Sequence, residues 1–278
     1  MDAVPDSAVC NEAVKLAKRH KFAQLSGFVN GVLRNIARNI DLVQFDTLSI
    51  RYSMPQWIVD RFVSEYGEKK AEEIFKAFHN KSTISIRTNL TRCTPDELRA
   101  KLEAEGVTVT AVDELDYAFV ISGFDYLNGL QSFRDGLFYV QDISSMLVAQ
   151  TAAPKKGDYV IDVCAAPGGK STHIAELLQG SGHVLARDMT DNKVDMIEEN
   201  IERHGLNNMS AEVWDATVPD ADSAGKADIL ICDLPCSGLG VLGRKKDIRY
   251  KMTPESVDEL AALQRQILDT VHTYVKTN

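Results

Sequence analysis

The sequence has no apolar run long enough to cross a membrane. No stretch approaches the roughly 18 consecutive apolar residues that are typical of a transmembrane helix. The N-terminal segment MDAVPDSAVC also lacks the basic start and the apolar centre of a secretory signal. We therefore expect a cytoplasmic protein with no membrane partner.

Cysteine is scarce and its spacing shows no pairing. The chain has 5 cysteines, an odd number, and no CxxC motif. This pattern argues against a disulfide framework and favours reduced thiols in a cytosolic protein. We also expect a monomer with no bound metal.

Basic residues are also fewer than acidic residues. The 278 residues carry 31 Lys and Arg against 40 Asp and Glu, which gives a formal net charge of −9. Overall acidity excludes a nucleic-acid binder that works through its global positive charge, although a local basic patch can lie on an acidic body. The length predicts more than one domain.

Three regions of the chain differ in pattern. Residues 1–45 predict a helical segment, because apolar residues recur at helical spacing from Phe28 to Ile40. Residues 46–140 predict a small α+β domain of a kind found in RNA-binding and in many other accessory domains. From residue 141 to 278, strands and helices alternate, which predicts an α/β domain with a parallel sheet.

The small α+β domain has clear helix signals. One helix is expected to follow Met54-Pro55 and to run towards Phe78, and a strand follows at 83–88. Thr94-Pro95-Asp96-Glu97 then has the pattern of a capping box at the start of a second helix, which we expect to end near Ala104.

The α/β region predicts a Rossmann-like, doubly wound fold in which polar residues follow successive strands. The expected strands cover 159–164, 183–188, 210–215 and 227–233, and the expected helices cover 170–179, 191–204 and 254–275. The four strands end at Cys164, Asp188, Asp215 and Asp233. A single such Asp would usually be a helix cap, but ligands of open parallel sheets bind at the carboxyl ends of the strands, so the four together predict a site.

The loop after the first of these strands is rich in small residues. Its sequence is Cys164, Ala165, Ala166, Pro167, Gly168, Gly169 and Lys170. A phosphate-binding P-loop needs a glycine where Cys164 stands, and the dinucleotide pattern G-x-G-x-x-G fails because Gly168 and Gly169 are adjacent. An ATPase and a dehydrogenase are therefore both disfavoured.

The acidic strand ends favour an adenosine-containing ligand. Asp188 lies about 20 residues after the glycines, where an acidic residue holds ribose hydroxyls, and Asp215 is placed to reach an adenine edge. Since no phosphate loop is present, S-adenosylmethionine fits better than NAD.

A cysteine and a group of basic residues follow the last strand. Cys236 lies in Asp233-Leu234-Pro235-Cys236, a turn on which a thiol could act on a pyrimidine ring as nucleophile or base. Cys232, inside the apolar strand, is the more structural of the two. The basic residues are expected either to contact an RNA backbone or to form an ordinary solvated loop; they are Arg244, Lys245, Lys246 and Arg249.

These motifs resemble the RNA cytosine-5 methyltransferases of the Sun/Fmu type, and most closely those that modify 16S rRNA. The segments that carry the resemblance are CAAPGGK (164–170), DLPCSGLG (233–240), FVNGVLRNIAR (28–38) and GLFYVQDISSMLVA (136–149). The resemblance spans nearly the whole chain, and it implies that residues 1–45 are part of an antitermination-factor-like RNA-binding domain.

The resemblance also implies a role for each site residue. Residues 164–170 would line the methionine and ribose side of S-adenosylmethionine. Asp188 would hold the ribose, Asp215 the adenine, and Asp233 would lie near the cofactor amine and the target base. Cys236 matches the cysteine that assists product release.

The family's nucleophilic cysteine normally lies in a Thr-Cys-Ser/Thr segment on a fifth strand, which this sequence does not contain. We therefore expect a chain that is truncated at both ends, lacks its main nucleophile and is catalytically weak or inactive. Two alternatives stay open, a non-catalytic RNA- and cofactor-binding module and an enzyme that uses Cys236 as its nucleophile. Another rRNA or tRNA cytosine is also a possible target.

Overall fold

The structure is a computed structural model that describes residues 4–43, 45–80 and 83–277. It divides the chain into two compact units, residues 1–76 and 77–278. Among the described residues, none of the helices combines the length and apolarity needed to cross a bilayer.

The first unit is helical. Its helices are α1 (Asp6–Arg19), α2 (Ser26–Asn39), α3 (Leu48–Arg51), α4 (Gln56–Tyr66) and α5 (Glu68–Ala77). Helix α2 contains the apolar repeat predicted from Phe28, and it packs against α1. The prediction of a single helix from Pro55 towards Phe78 is wrong. The helix is interrupted at Gly67, because the φ of +77° at this residue does not fit an α-helix.

The second unit begins with a four-stranded antiparallel sheet. Its strands are β1 (Ile84–Thr88), β2 (Thr108–Val112), β3 (Leu115–Ser122) and β4 (Phe138–Val140), in the order β2-β3-β1-β4. Two helices, α6 (Pro95–Ala104) and α7 (Gln131–Arg134), connect the strands. The predicted capping box is confirmed, since Thr94 accepts from the backbone of Glu97 and the Glu97 side chain accepts from Thr94.

A parallel sheet makes up the rest of the unit. Its strands are β5 (Tyr159–Asp162), β6 (His183–Asp188), β7 (Met209–Val213) and β8 (Ile229–Ile231), in the order β7-β6-β5-β8. The helices are α8 (Ile143–Ala152), α9 (Gly169–Leu177), α10 (Asp191–His204), α11 (Ile248–Lys251) and α12 (Pro254–Val271). Three strands end two residues before their predicted ends at Cys164, Asp215 and Asp233, and the last helix is also shorter than predicted. The predicted α/β architecture is confirmed.

The parallel sheet is covered on both faces. Val160 of β5 packs with Ile174 and Ile197, from α9 and α10. The next residue, Ile161, points to the other face and packs with Ile267 of α12, as the alternation of side chains along a strand requires. Strand order reverses between β5 and β8, so the loop that follows β5 lies at the topological switch point where such sheets bind ligands.

Candidate functional site

The carboxyl ends of the parallel strands enclose a cavity of about 490 Å³. It is lined by residues of all four strand-end loops, including five of the predicted site residues: Cys164, Ala166, Asp188, Asp215 and Asp233. A smaller cavity of about 230 Å³ adjoins it and adds Ala165, Pro167, Gly169 and Lys170. The structure therefore brings the predicted residues together at one edge of the sheet.

The loop 164–170 has a tightly fixed backbone. The Ala165 N–H donates to the carbonyl of Arg187 on β6 at 2.8 Å, and Gly168 has a φ of +99° at the start of α9. A Cβ placed on Gly169 would lie 3.1 Å from the Tyr139 ring. The backbone conformation thus favours glycine at 168, and a side chain at 169 would press on the Tyr139 ring.

Asp188 is the most strongly fixed carboxylate of the larger cavity. Its side chain is 5% exposed, and it accepts from the backbone N–H groups of Ala166 and Met189 at 3.0 and 2.8 Å and from Lys193 Nζ at 2.8 Å. These donors join the ends of β5 and β6 through one carboxylate. The group is held in place before any ligand binds.

Asp215 and Asp233 are more open to solvent. Asp215 accepts from the backbone N–H and the hydroxyl of Thr217 at 2.9 and 2.7 Å, and the backbone bond in particular lowers the pKa of this carboxyl. Asp233 pairs with Lys170 at 2.5 Å, and its side chain is 58% exposed. Asp233 lines both cavities, together with Cys164 and Ala166.

Two further residues of the site were not predicted from the sequence. Asp162, at the end of β5, is 1% exposed, lines the smaller cavity and accepts from Ser171 Oγ at 2.5 Å. Burial raises its pKa to about 6. The only signal in the sequence is a carboxylate inside an otherwise apolar strand.

The other missed residue is Trp214, which forms part of the wall of the larger cavity. The guanidinium of Arg187 lies 4.9 Å from the centre of the Trp214 ring. Arg187 in turn pairs with Glu212 and Asp220, both at 2.6 Å. The cation therefore supports the ring and the segment that leads into Asp215.

The cysteines differ in exposure. Burial raises the pKa of Cys164 to about 12 and that of Cys232 to about 11, which keeps both as neutral thiols at pH 7. Cys236 is the exposed cysteine of the five. It is not among the described residues that line either cavity, although its neighbour Pro235 lines the larger one.

The basic residues after β8 differ in exposure. Lys245 and Lys246 are exposed, and Arg244 pairs with Asp142. Arg249 has to be corrected as a surface residue. It is 4% exposed, and its Nη2 donates towards the carbonyl of Leu242, so its guanidinium supports the loop from inside.

Three family models match the sequence. Residues 149–278 match the 16S rRNA methyltransferase RsmB/F family, residues 54–124 match the ferredoxin-like domain of RsmF/B-like methyltransferases, and residues 1–38 match the NusB family. Among the described residues, no group of three or more His, Cys, Asp or Glu side chains is arranged to hold a metal.

Curated relatives align with nearly the whole chain. The probable ribosomal RNA small subunit methyltransferase B of Bacillus subtilis is 36% identical over 99% of this chain, and that of Synechocystis is 33% identical over 100%. The methyltransferase B of Proteus mirabilis is 32% identical over 99% of the chain. The chain spans 63, 64 and 65% of the length of these three relatives.

Solved structures share the fold at lower identity. The crystal structure of PH0851 superposes with a TM-score of 0.84 at 24% identity, covering 98% of this chain and 62% of that one. NSun6 from Pyrococcus horikoshii, solved with SFG, gives 0.69 at 20% identity over 80% of both chains. The resemblance inferred from the motifs is confirmed as far as these matches reach: residues 149–278 are similar to the RsmB/F family of 16S rRNA methyltransferases, and methyltransferase B relatives align with nearly the whole chain.

Proposed function

We propose that the chain binds S-adenosylmethionine at the carboxyl edge of the parallel sheet and serves the transfer of a methyl group to C5 of a cytosine in 16S rRNA. The observation that carries this proposal is the convergence of the loop 164–170 with Asp188, Asp215 and Asp233 on two adjoining cavities. A volume of about 490 Å³ suits a nucleoside-sized ligand. The protein would act as a cytoplasmic monomer.

Each carboxylate has a distinct proposed task. Asp188 would accept hydrogen bonds from the ribose hydroxyls, a task favoured by its fixed and buried carboxylate. Asp215 would accept from the exocyclic amine of adenine, beside the wall formed by Trp214. The loop 164–170 and Asp233 would face the methionine end, because they line the smaller cavity as well.

The chemistry at the base would use the exposed thiol. When bound, S-adenosylmethionine supplies an electrophilic methyl group. Cys236 would act on the pyrimidine from the rim of the cavity, where its exposure leaves Sγ accessible, and by family resemblance it would assist product release. Lys170 balances the charge of Asp233 beside the position where base and cofactor would meet.

The RNA backbone would pass the exposed face of the loop after β8. Lys245 and Lys246 are free to contact phosphates there, while Arg244 is anchored to Asp142. The three proposed domains are residues 1–45 and 46–140, which would add RNA-binding surfaces, and residues 141–278, which would carry the methyltransferase site.

Two roles of Cys236 can be separated by one experiment. The chain is incubated with methyl-tritiated S-adenosylmethionine and a 16S rRNA transcript, and in parallel with a transcript that contains 5-fluorocytosine. Label that enters the RNA in Cys236→Ser but stays in a covalent protein–RNA adduct supports a release role, since the nucleophile is then another group and only the release step is blocked. A covalent fluorocytosine adduct that is absent in Cys236→Ser makes Cys236 the nucleophile.

The same experiment tests the non-catalytic alternative. Binding of cofactor and RNA with no label in the RNA supports a binding module, while label in a nucleotide other than cytosine would contradict the proposed reaction. Cys10→Ser serves as the matched control, because Cys10 lies in α1 and is buried there.

A further inference from the structure

Arg87 reaches from the antiparallel sheet to the loop that we assign to the cofactor. It lies on β1 and is 1% exposed. Its Nη1 donates to the carbonyl of Gly169 at 2.9 Å and to the side chain of Gln141, which follows β4. Its Nη2 donates to Glu176 of α9 at 2.8 Å. One buried side chain thus ties the antiparallel sheet to both the loop and the helix that follows it.

Tyr139 supports the same loop at an earlier position. Its hydroxyl donates to the carbonyl of Pro167 at 3.0 Å, and the guanidinium of Arg87 lies 5.4 Å from the centre of its ring. Asn200 of α10 donates to the same carbonyl at 3.0 Å. The carbonyls of Pro167 and Gly169 are therefore both held from behind by side chains that do not belong to the loop.

The charge of Arg87 is balanced inside the protein. Glu176 is 3% exposed in its side chain and forms the ion pair with Arg87. His204 lies 3.4 Å from Glu176, but burial lowers the pKa of this histidine and keeps it neutral at pH 7. The carboxylate is thus matched by one cation, and that cation is the group that holds the loop.

We propose that Arg87 is a positioning residue for the cofactor loop and that Tyr139, which also lines the smaller cavity, supports the same loop, so that the antiparallel sheet sets the affinity for S-adenosylmethionine by holding residues 164–170. This inference rests on the proposed function. A buried side chain with four acceptors around its guanidinium fixes the position of each of them, and here one acceptor is a loop carbonyl. Without this hydrogen bond, residues 164–170 could move away from the geometry that accepts the ligand.

The test compares S-adenosylmethionine binding, melting and amide exchange in four proteins. They are the wild type, Arg87→Met, the pair Arg87→Met with Glu176→Gln, and the control Arg99→Met. The double variant removes the cation without leaving an unpaired buried carboxylate, which keeps the fold testable. Arg99 lies on α6 and packs over Phe119, away from the loop.

We expect both Arg87 variants to bind S-adenosylmethionine about tenfold more weakly, because they lose the charged hydrogen bond that holds the loop. Faster amide exchange should be confined to residues 164–170, and the double variant should melt near the wild-type temperature. Tyr139→Phe should give a smaller loss of affinity, since Asn200 still donates to Pro167.

Three results would overturn the proposal. The first is an unchanged affinity for S-adenosylmethionine in the double variant, and the second is an equal loss of this affinity in Arg99→Met. The third is faster amide exchange over the whole parallel sheet, because it would mean a general structural role. If the wild type does not bind S-adenosylmethionine, the proposed function fails separately. Amide exchange of residues 164–170 in the ligand-free proteins then decides the positioning role alone.

Discussion

Among the carboxylates of the site, Asp162 is the one whose pKa is shifted most by its surroundings. It is 1% exposed, and one of its two oxygens has no hydrogen-bond partner among the described residues. Burial raises its pKa from 3.8 to about 6, although the hydrogen bond from Ser171 acts in the opposite direction. A buried acid of this kind favours its neutral form.

The raised pKa predicts how stability depends on pH. Because folded Asp162 holds its proton up to about pH 6 while the unfolded chain releases it near pH 3.8, the free energy of unfolding should fall as the pH rises between these values. The shift corresponds to about 3 kcal/mol in total. Asp162→Asn stays neutral and should lack this contribution.

Urea unfolding of wild type and Asp162→Asn from pH 3.5 to 7 measures the difference. The free energy of unfolding of the wild type, relative to the variant, should decrease through this interval and level off above about pH 6. A difference that is flat, or that grows in favour of the wild type with rising pH, would show that the pKa of Asp162 is not raised in the folded protein.

The residues that sequence reasoning found and those that it missed differ in a physical way. Asp188 is the last residue of β6, and Asp215 and Asp233 lie two residues after the ends of β7 and β8. Because strand ends of a parallel sheet converge, their common cavity could be predicted. Arg87 could not be found, because its contacts lie about 80 residues away in the chain. The exposure of Arg249 was misjudged, since a charged residue among other basic residues is usually solvated.

Gly136 fixes the junction between two elements. It lies between α7 and β4 with a φ of +64°, and a Cβ placed on it would lie 1.9 Å from the carbonyl oxygen of Arg203 near the end of α10. Backbone of the antiparallel sheet region therefore contacts backbone of the α/β region directly. No side chain can be accommodated there without moving one of the two elements.

We predict that Gly136→Ala destabilises the protein by about 3 kcal/mol or more, the sum of backbone strain and a backbone clash. Gly157 is the matched control, because its φ of +91° is similar and nothing lies within 4 Å of its Cβ position. Gly157→Ala should therefore cost only the strain, about 1 kcal/mol. Equal losses in the two variants, measured by thermal unfolding, would contradict the close junction.

The elements themselves could be predicted where local signals are strong. The capping box at Thr94 and the helix at 191–204 are confirmed by the structure. The break at Gly67 was missed because the apolar repeat continues on both sides of it, in α4 and α5. A helical period alone does not distinguish one long helix from two short ones.

The charge of the whole chain bears on how RNA would bind. A net charge of −9 leaves little global attraction for a polyanion, so the affinity would depend on local cations. Lys245 and Lys246 are exposed beside the proposed active site. They are the lysines of the predicted basic group that the structure leaves open to a phosphate.

We predict that Lys245→Ala with Lys246→Ala weakens RNA binding and lowers the magnitude of the slope of log affinity against log salt by about 1.4, which is about 0.7 for each single-strand phosphate that a lysine no longer neutralises. Lys155→Ala with Lys156→Ala is the control, since this pair is exposed near the opposite, amino end of β5. The slopes are measured by binding titrations of a 16S rRNA fragment between roughly 50 and 200 mM salt, the range in which such slopes are usually determined. A slope that falls equally in both variants would argue against the assigned RNA path.

The proposed function as a whole depends on S-adenosylmethionine binding at the carboxyl edge of the parallel sheet. The most direct test is a calorimetric titration of the folded chain with this ligand, together with Asp188→Ala and the control Asp195→Ala. Asp195 is an exposed residue of α10 that lines neither cavity. Each protein is first shown to melt cooperatively.

We predict saturable binding of one ligand by the wild type, about tenfold weaker binding by Asp188→Ala, and an unchanged affinity in Asp195→Ala. The weaker binding would follow from the loss of the fixed, buried carboxylate that joins the ends of β5 and β6. A wild-type protein that melts cooperatively but does not bind, or an Asp188→Ala variant that binds as tightly as the wild type, would contradict the assignment of this site.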